Sequence, residues 1–173
     1  MKTIQKIYNA ISLLSEWSGR TVRWLLVPLI ISIAYDVFMR YVFNAPTIWS
    51  FALSYMLGAT VIMIGFAYVL YHRGHVSVDL IYSKFPTKVK LIIDIVFTII
   101  FFFPLFLMLT KVSVEHAIWS CSVHETATDS VWFQIIWPFK IVVALGFALL
   151  FLQGVANFLK DVMQLIQGGS EPW

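Results

Sequence analysis

The sequence predicts an all-α integral membrane protein, with four transmembrane helices, an amphipathic interfacial helix at the N-terminus and both termini cytoplasmic. Three observations carry this reading. Of 173 residues, 60% are apolar and only 12% charged, with a mean hydropathy of +0.85. Soluble domains run near roughly 45–50% apolar and about 25% charged, so the chain lacks the charge to keep a water-facing surface wet. Its apolar runs come in lengths of about 20 residues, enough to cross about 30 Å of hydrocarbon. Finally, basic residues collect on one side of the resulting topology: Lys2, Lys6, Arg20 and Arg23, then Arg73, Lys84, Lys88 and Lys90, then Lys160, against Arg40, Lys111 and Lys140. By the positive-inside rule the richer side is cytoplasmic.

In residues 1–21, Ile4, Ile7, Tyr8, Ile11 and Leu14 recur at helical spacing among Lys2, Gln5, Lys6, Asn9 and Ser12, the pattern of a helix lying on the inner leaflet. Residues 22–43 form the first transmembrane helix, with Trp24 as an interfacial anchor. The run is too long for a signal-peptide core and no small-residue cleavage site follows, so it is expected to be a retained anchor. Residues 48–71, without a single charge, form the second. A cytoplasmic connection (72–88) leads to the third helix (89–112), in which Pro104 is expected to produce a kink and not a break, because bundle neighbours can satisfy the freed carbonyl. Residues 113–139 read as a periplasmic loop and interfacial segment containing Trp132, Trp137 and Pro138. The fourth helix (140–160) is bracketed by Lys140 and Lys160, one ammonium at each interface. A cytoplasmic tail (161–173) closes the chain.

This arithmetic leaves no room for a soluble catalytic or nucleotide-binding domain, and no enzymatic activity or cofactor is expected. The single cysteine, Cys121, excludes an internal disulfide and a paired-thiol relay. The net charge of +3 is a topology signal: the basic residues are dispersed along membrane edges, unlike a nucleic-acid footprint. Glu115, His116, Cys121, His124 and Glu125 include zinc-ligand types, but their spacing fits no standard motif and ordinary solvated loop residues are expected. No histidine falls inside a span, which argues against a bis-histidine haem.

Polar residues inside spans are costly. Asp36 and Arg40, four apart on one face, can pair; either they face a partner helix, or Arg40 snorkels to the headgroups with Asp36 as its counter-ion. Ala52, Gly58, Ala59 and Gly65 on the second helix mark a packing face, since small residues let backbones approach.

Two stretches go further. Arg40-Tyr41-Val42-Phe43-Asn44-Ala45-Pro46 is followed by Trp49, and Ala67-Tyr68 by Gly74-His75-Val76-Ser77-Val78-Asp79. On a four-helix chain of this length, they resemble the small membrane subunit (DctQ-like small permease) of the tripartite ATP-independent periplasmic (TRAP) transporters, from about Trp17 to Leu159. One departure stands out: the family commonly has an acidic residue shortly after the tryptophan, where this chain reads Ser50-Phe51-Ala52-Leu53-Ser54. The resemblance implies a bacterial inner-membrane complex for uptake of organic acid anions, carboxylates or sulfonates. A periplasmic binding protein delivers substrate, a large multi-spanning permease carries the substrate and sodium sites, and the small subunit packs on the static scaffold of the large one. Asp36, Arg40 and the small-residue stripe would face that subunit, and the 113–139 segment would help receive the binding protein. A runner-up is a four-helix membrane anchor of a respiratory or redox enzyme.

Overall fold

The computed structural model describes residues 2–72, 86–127 and 135–166. Helix α1 (Lys2–Val22) passes through one 3-10 turn (Arg23–Leu25) into α2 (Leu26–Phe43). Helix α3 spans Ser50–Tyr71. Helix α4 (Thr87–Phe97) continues through a π-turn (Thr98–Phe102) into α5 (Phe103–Ser122), and α6 spans Trp137–Ile166. Four helical stretches are long and apolar enough to cross a membrane: Gln5–Phe43, Ser50–Tyr71, Lys88–Ser122 and Trp137–Ile166.

Helix α6 is the axis of the bundle, packing against α1, α3, α4 and α5. Its inward stripe of Gly146, Leu150, Gln153, Gly154 and Asp161 is buried, at the three- and four-residue spacing that keeps side chains on one helical face. Helix α2, by contrast, has α3 as its principal neighbour, and of its residues only Ser32 is buried.

The core is built from small side chains. Buried positions include Ala52, Ala67, Ala117, Ala144 and Ala156 with Ser15, Ser32, Ser50 and Ser120, whereas Ile30, Ile31, Phe38, Phe101, Leu107 and Met108 are exposed. In water this inverts the hydrophobic rule. In lipid, where tails solvate large apolar side chains as well as a protein core does, small residues at the helix contacts are the favoured arrangement.

The third span ends later than residue 112, where the sequence reading turned to loop: α5 runs to Ser122. Residues 111–122 contain no glycine or proline, and Lys111 and Glu115 sit four apart on the helix surface, a pairing that supports helix. Pro104 does not break this span. Just before it the ladder changes register, with the Phe103 amide donating to the Thr98 carbonyl five residues back, a π-turn of the kind that relieves local conflict in long helices.

Helix α1 turns its serines inward. Ser12 and Ser15 are buried while Ile7, Leu13, Leu14 and Trp17 are exposed, and the helix packs on both α3 and α6. Its apolar face is thus left for lipid or for a partner.

Candidate subunit interface

At one end of the α2–α3 hairpin, Asn44 adopts the left-handed conformation (φ 51°) and the amides of Asn44 and Ala45 both return to the Met39 carbonyl. This closes α2 with a helix-terminating motif that asparagine tolerates, and Pro46 prevents continuation. The turn brings Thr47 beneath Asp36. One carboxylate oxygen accepts from the Thr47 amide (2.9 Å) and the Thr47 hydroxyl; the other accepts from the Arg40 guanidinium (2.7 Å). Trp49 stacks on Tyr35 with ring centroids 5.8 Å apart. One turn deeper, the Ser50 hydroxyl donates to the Ser32 carbonyl (2.9 Å), and the Ser32 and Ser50 hydroxyls lie 3.2 Å apart. Ser50 and Ser54 are thus the polar groups in the stretch where the resemblance leads one to expect a carboxylate.

Asp36 is therefore committed within the chain, at 15% side-chain exposure, while Arg40 leans outward at 59%. Beside it Tyr41 and Phe43 are exposed, as is Phe51 at the start of α3. Tyr41 is 82% exposed.

The small-residue stripe on α3 divides. Ala52 is buried inside the chain, so it belongs to no surface offered to a partner, and Ala59 is half-buried. A methyl group added at Gly58 or Gly65 would meet nothing within 4 Å, so neither glycine is required by the subunit's own packing. The glycines that are required lie elsewhere. A Cβ at Gly146 would stand 2.9 Å from the Met63 carbonyl oxygen, one at Gly19 would strike Tyr68, and one at Gly154 would strike the Phe102 ring. The difference depends on which helix lies opposite, which residue spacing does not reveal.

Trp24 is exposed at 67%, and Trp137 is half-buried. Lys160 lies 5.2 Å over the Tyr8 ring. Lys140, expected as an interfacial anchor, donates to Glu125 and lies 5.7 Å from the Trp119 ring. His75, Val76, Asp79 and Trp132 fall outside the described residues. Among the described residues, no three histidine, cysteine, aspartate or glutamate side chains converge as a metal ion would need.

Glu125 ties the loop after α5 to the first turn of α6. His124 (φ 48°) reverses the chain, and the Ile136 amide donates to the Glu125 carbonyl at 3.1 Å. The Lys140 ammonium holds the Glu125 carboxyl below its usual range. A carboxyl depressed in the folded state stabilises that state above its unfolded value and loses the contribution as pH falls through the folded value. Thermal scans of wild type and Glu125→Gln from pH 7 to 3 are accordingly expected to differ at neutral pH and to converge in acid. A gap that persists at pH 3 would contradict the assignment.

A polar network that charge-based reading misses crosses the opposite end of the bundle. The Ser15 hydroxyl donates to the Gln153 side-chain oxygen (2.8 Å), the Gln153 amide to Asn157 (3.0 Å), and the Asn157 amide to the Leu70 carbonyl (3.1 Å). It joins α1, α6 and α3. Uncharged amides four apart inside an apolar span were the available signal, because lipid-exposed amides are rare unless they find partners across helices.

A helical bundle with four stretches long and apolar enough to cross a membrane, large apolar side chains outside and polar clasps between its own helices has the build of a multi-pass membrane protein. The sequence profile of the family described as "Tripartite ATP-independent periplasmic transporters, DctQ component" matches residues 29–164. The chain belongs to that family and is a small TRAP transporter subunit. No curated protein and no solved structure matches it. Nothing found favours the redox-anchor alternative.

Proposed function

We propose that the chain is the non-catalytic scaffold subunit of a sodium-driven, binding-protein-dependent importer of organic acid anions in a bacterial inner membrane. Both termini lie in the cytoplasm, as the distribution of lysine and arginine favours. The chain packs against a large permease that carries the substrate and sodium sites, and its periplasmic loop helps receive the binding protein. What supports this reading, beyond the family, is the one-sided burial of α2: it leans on α3 and leaves Arg40, Tyr41 and Phe43 exposed. The match to the family begins inside this same helix.

Arg40, Tyr41 and the open Gly58 position face the large subunit. Purifying the tagged large subunit with wild type, Tyr41→Ala or Gly58→Leu is the test. Each variant is expected to lower recovery of the small subunit about tenfold, within the range of interface hot spots, and uptake with it. Since a Cβ at position 58 meets nothing within 4 Å, the helicity and thermal stability of Gly58→Leu in detergent are expected to stay at the wild-type level, and both are measured beside recovery. Full recovery and full uptake in both variants would overturn the assignment of this face.

A further inference from the structure

A groove of about 400 Å³ runs between the α1–α2 junction and α3. Val22, Leu26, Val61, Ile62 and Phe66 make it apolar along its length, and Arg20 and Arg23 stand at its rim. Arg20 gives one terminal nitrogen to Glu16 and, among the described residues, has no second carboxylate partner. Arg23 is exposed and, among the described residues, has no carboxylate partner. Trp17 and Trp24, on the same stretch of helix, are exposed at 69% and 67%, as befits side chains that settle at the headgroup level. An apolar channel that opens beside two guanidiniums and interfacial tryptophans matches one kind of occupant in both of its parts.

We infer that this groove binds an anionic phospholipid, one acyl chain lying against Leu26, Ile62 and Phe66 and the phosphate held by Arg20 and Arg23. Guanidinium forks match phosphate oxygens in a bidentate way, and basic pockets between membrane helices select anionic headgroups. A zwitterionic lipid offers the same chain but cancels the phosphate's charge with its own ammonium. Gly65 makes room: it lines the groove, and a Cβ there would touch nothing. A larger side chain at 65 is therefore expected to start into the channel with its Cβ clear of the bundle's own atoms.

The test is native mass spectrometry of the full-length chain in mild detergent, titrated with phosphatidylglycerol or phosphatidylcholine. Phosphatidylglycerol is expected to bind in preference to phosphatidylcholine, and Arg23→Gln to weaken it about fivefold, as for one basic residue near an anionic surface. Gly65→Leu is expected to abolish the preference with both arginines still present, and Gly58→Leu, outside the groove, to leave it unchanged. Equal binding of the two lipids would overturn the inference, as would full retention in Gly65→Leu. Displacement of phosphatidylglycerol by inorganic phosphate would also overturn it, by showing an anion site without a chain groove. So would a crosslink from Gly65→Cys to the large subunit in the purified complex, which would assign the groove to a protein helix.

Discussion

Gly146→Leu is expected to abolish the folded bundle. Even alanine at this position would bring its methyl group to 2.9 Å from the Met63 carbonyl oxygen and 3.0 Å from Met63 Cβ, and a backbone carbonyl cannot turn aside as a flexible side-chain tip can. Overfilling a packed contact costs about 1–3 kcal/mol for modest insertions, so Gly146→Ala is expected to fall in that range and leucine beyond it. The contact lies where α6 crosses α3, between the helix that touches most of the others and the helix that carries α2. Thermal unfolding followed by circular dichroism in detergent measures the effect. The ordering Gly146→Leu, Gly146→Ala, wild type in rising stability is expected, with Gly58→Leu indistinguishable from wild type. A Gly146→Leu variant that melts with wild type would show that α3 and α6 do not approach this closely.

Asp36→Ala is expected to have the second-largest effect, a clear drop in the unfolding midpoint in detergent. It removes the acceptor for the Thr47 amide, the Thr47 hydroxyl and the Arg40 guanidinium together. Leaving a shielded donor without a partner costs about 1–3 kcal/mol, more where charge is involved. Asp36→Asn retains one acceptor for Thr47 but offers Arg40 a neutral group, so it is expected to fall between. Thr47→Val tests the same clasp from the other side. In a double-mutant cycle, Asp36→Ala and Thr47→Val should couple, the double variant losing less than the sum of the two single losses. Additive effects would mean that Asp36 matters only through Arg40.

Much of this clasp was legible in the sequence. The i, i+4 spacing of Asp36 and Arg40 gave their pairing, and Asn44-Ala45-Pro46 is of a composition that suits a tight turn. What the sequence left open was whether the pair faced outward. The answer rests on Thr47, whose amide reaches Asp36 only once the hairpin has closed. The end of the third span was misplaced because residues 113–122 are polar enough to resemble loop, while their helicity depends on the absence of breakers and on packing against α6. The Ser15–Gln153–Asn157 network joins residues 138 positions apart, and local periodicity carries no information over that separation. The glycines show the same limit: Gly58 and Gly146 both sit in apolar helices, and only the surface opposite distinguishes the open position from the tight one.

The π-turn before Pro104 has a consequence for registration. One additional residue in a helix is worth about 100° of rotation, so the turn at Thr98–Phe102 sets the azimuth of α5 relative to α4. Leu91 on α4 and Ala117 and Ser120 on α5 are all buried, and both helices pack against α6. Removing one residue from the turn would return the ladder to regular α-helix and swing Ala117 and Ser120 about a quarter-turn around the axis, carrying larger neighbours such as Ile118 into the seam. The five residues Thr98–Phe102 therefore work as a phase adjustment, letting one long membrane span meet a single neighbouring helix with two differently aligned faces.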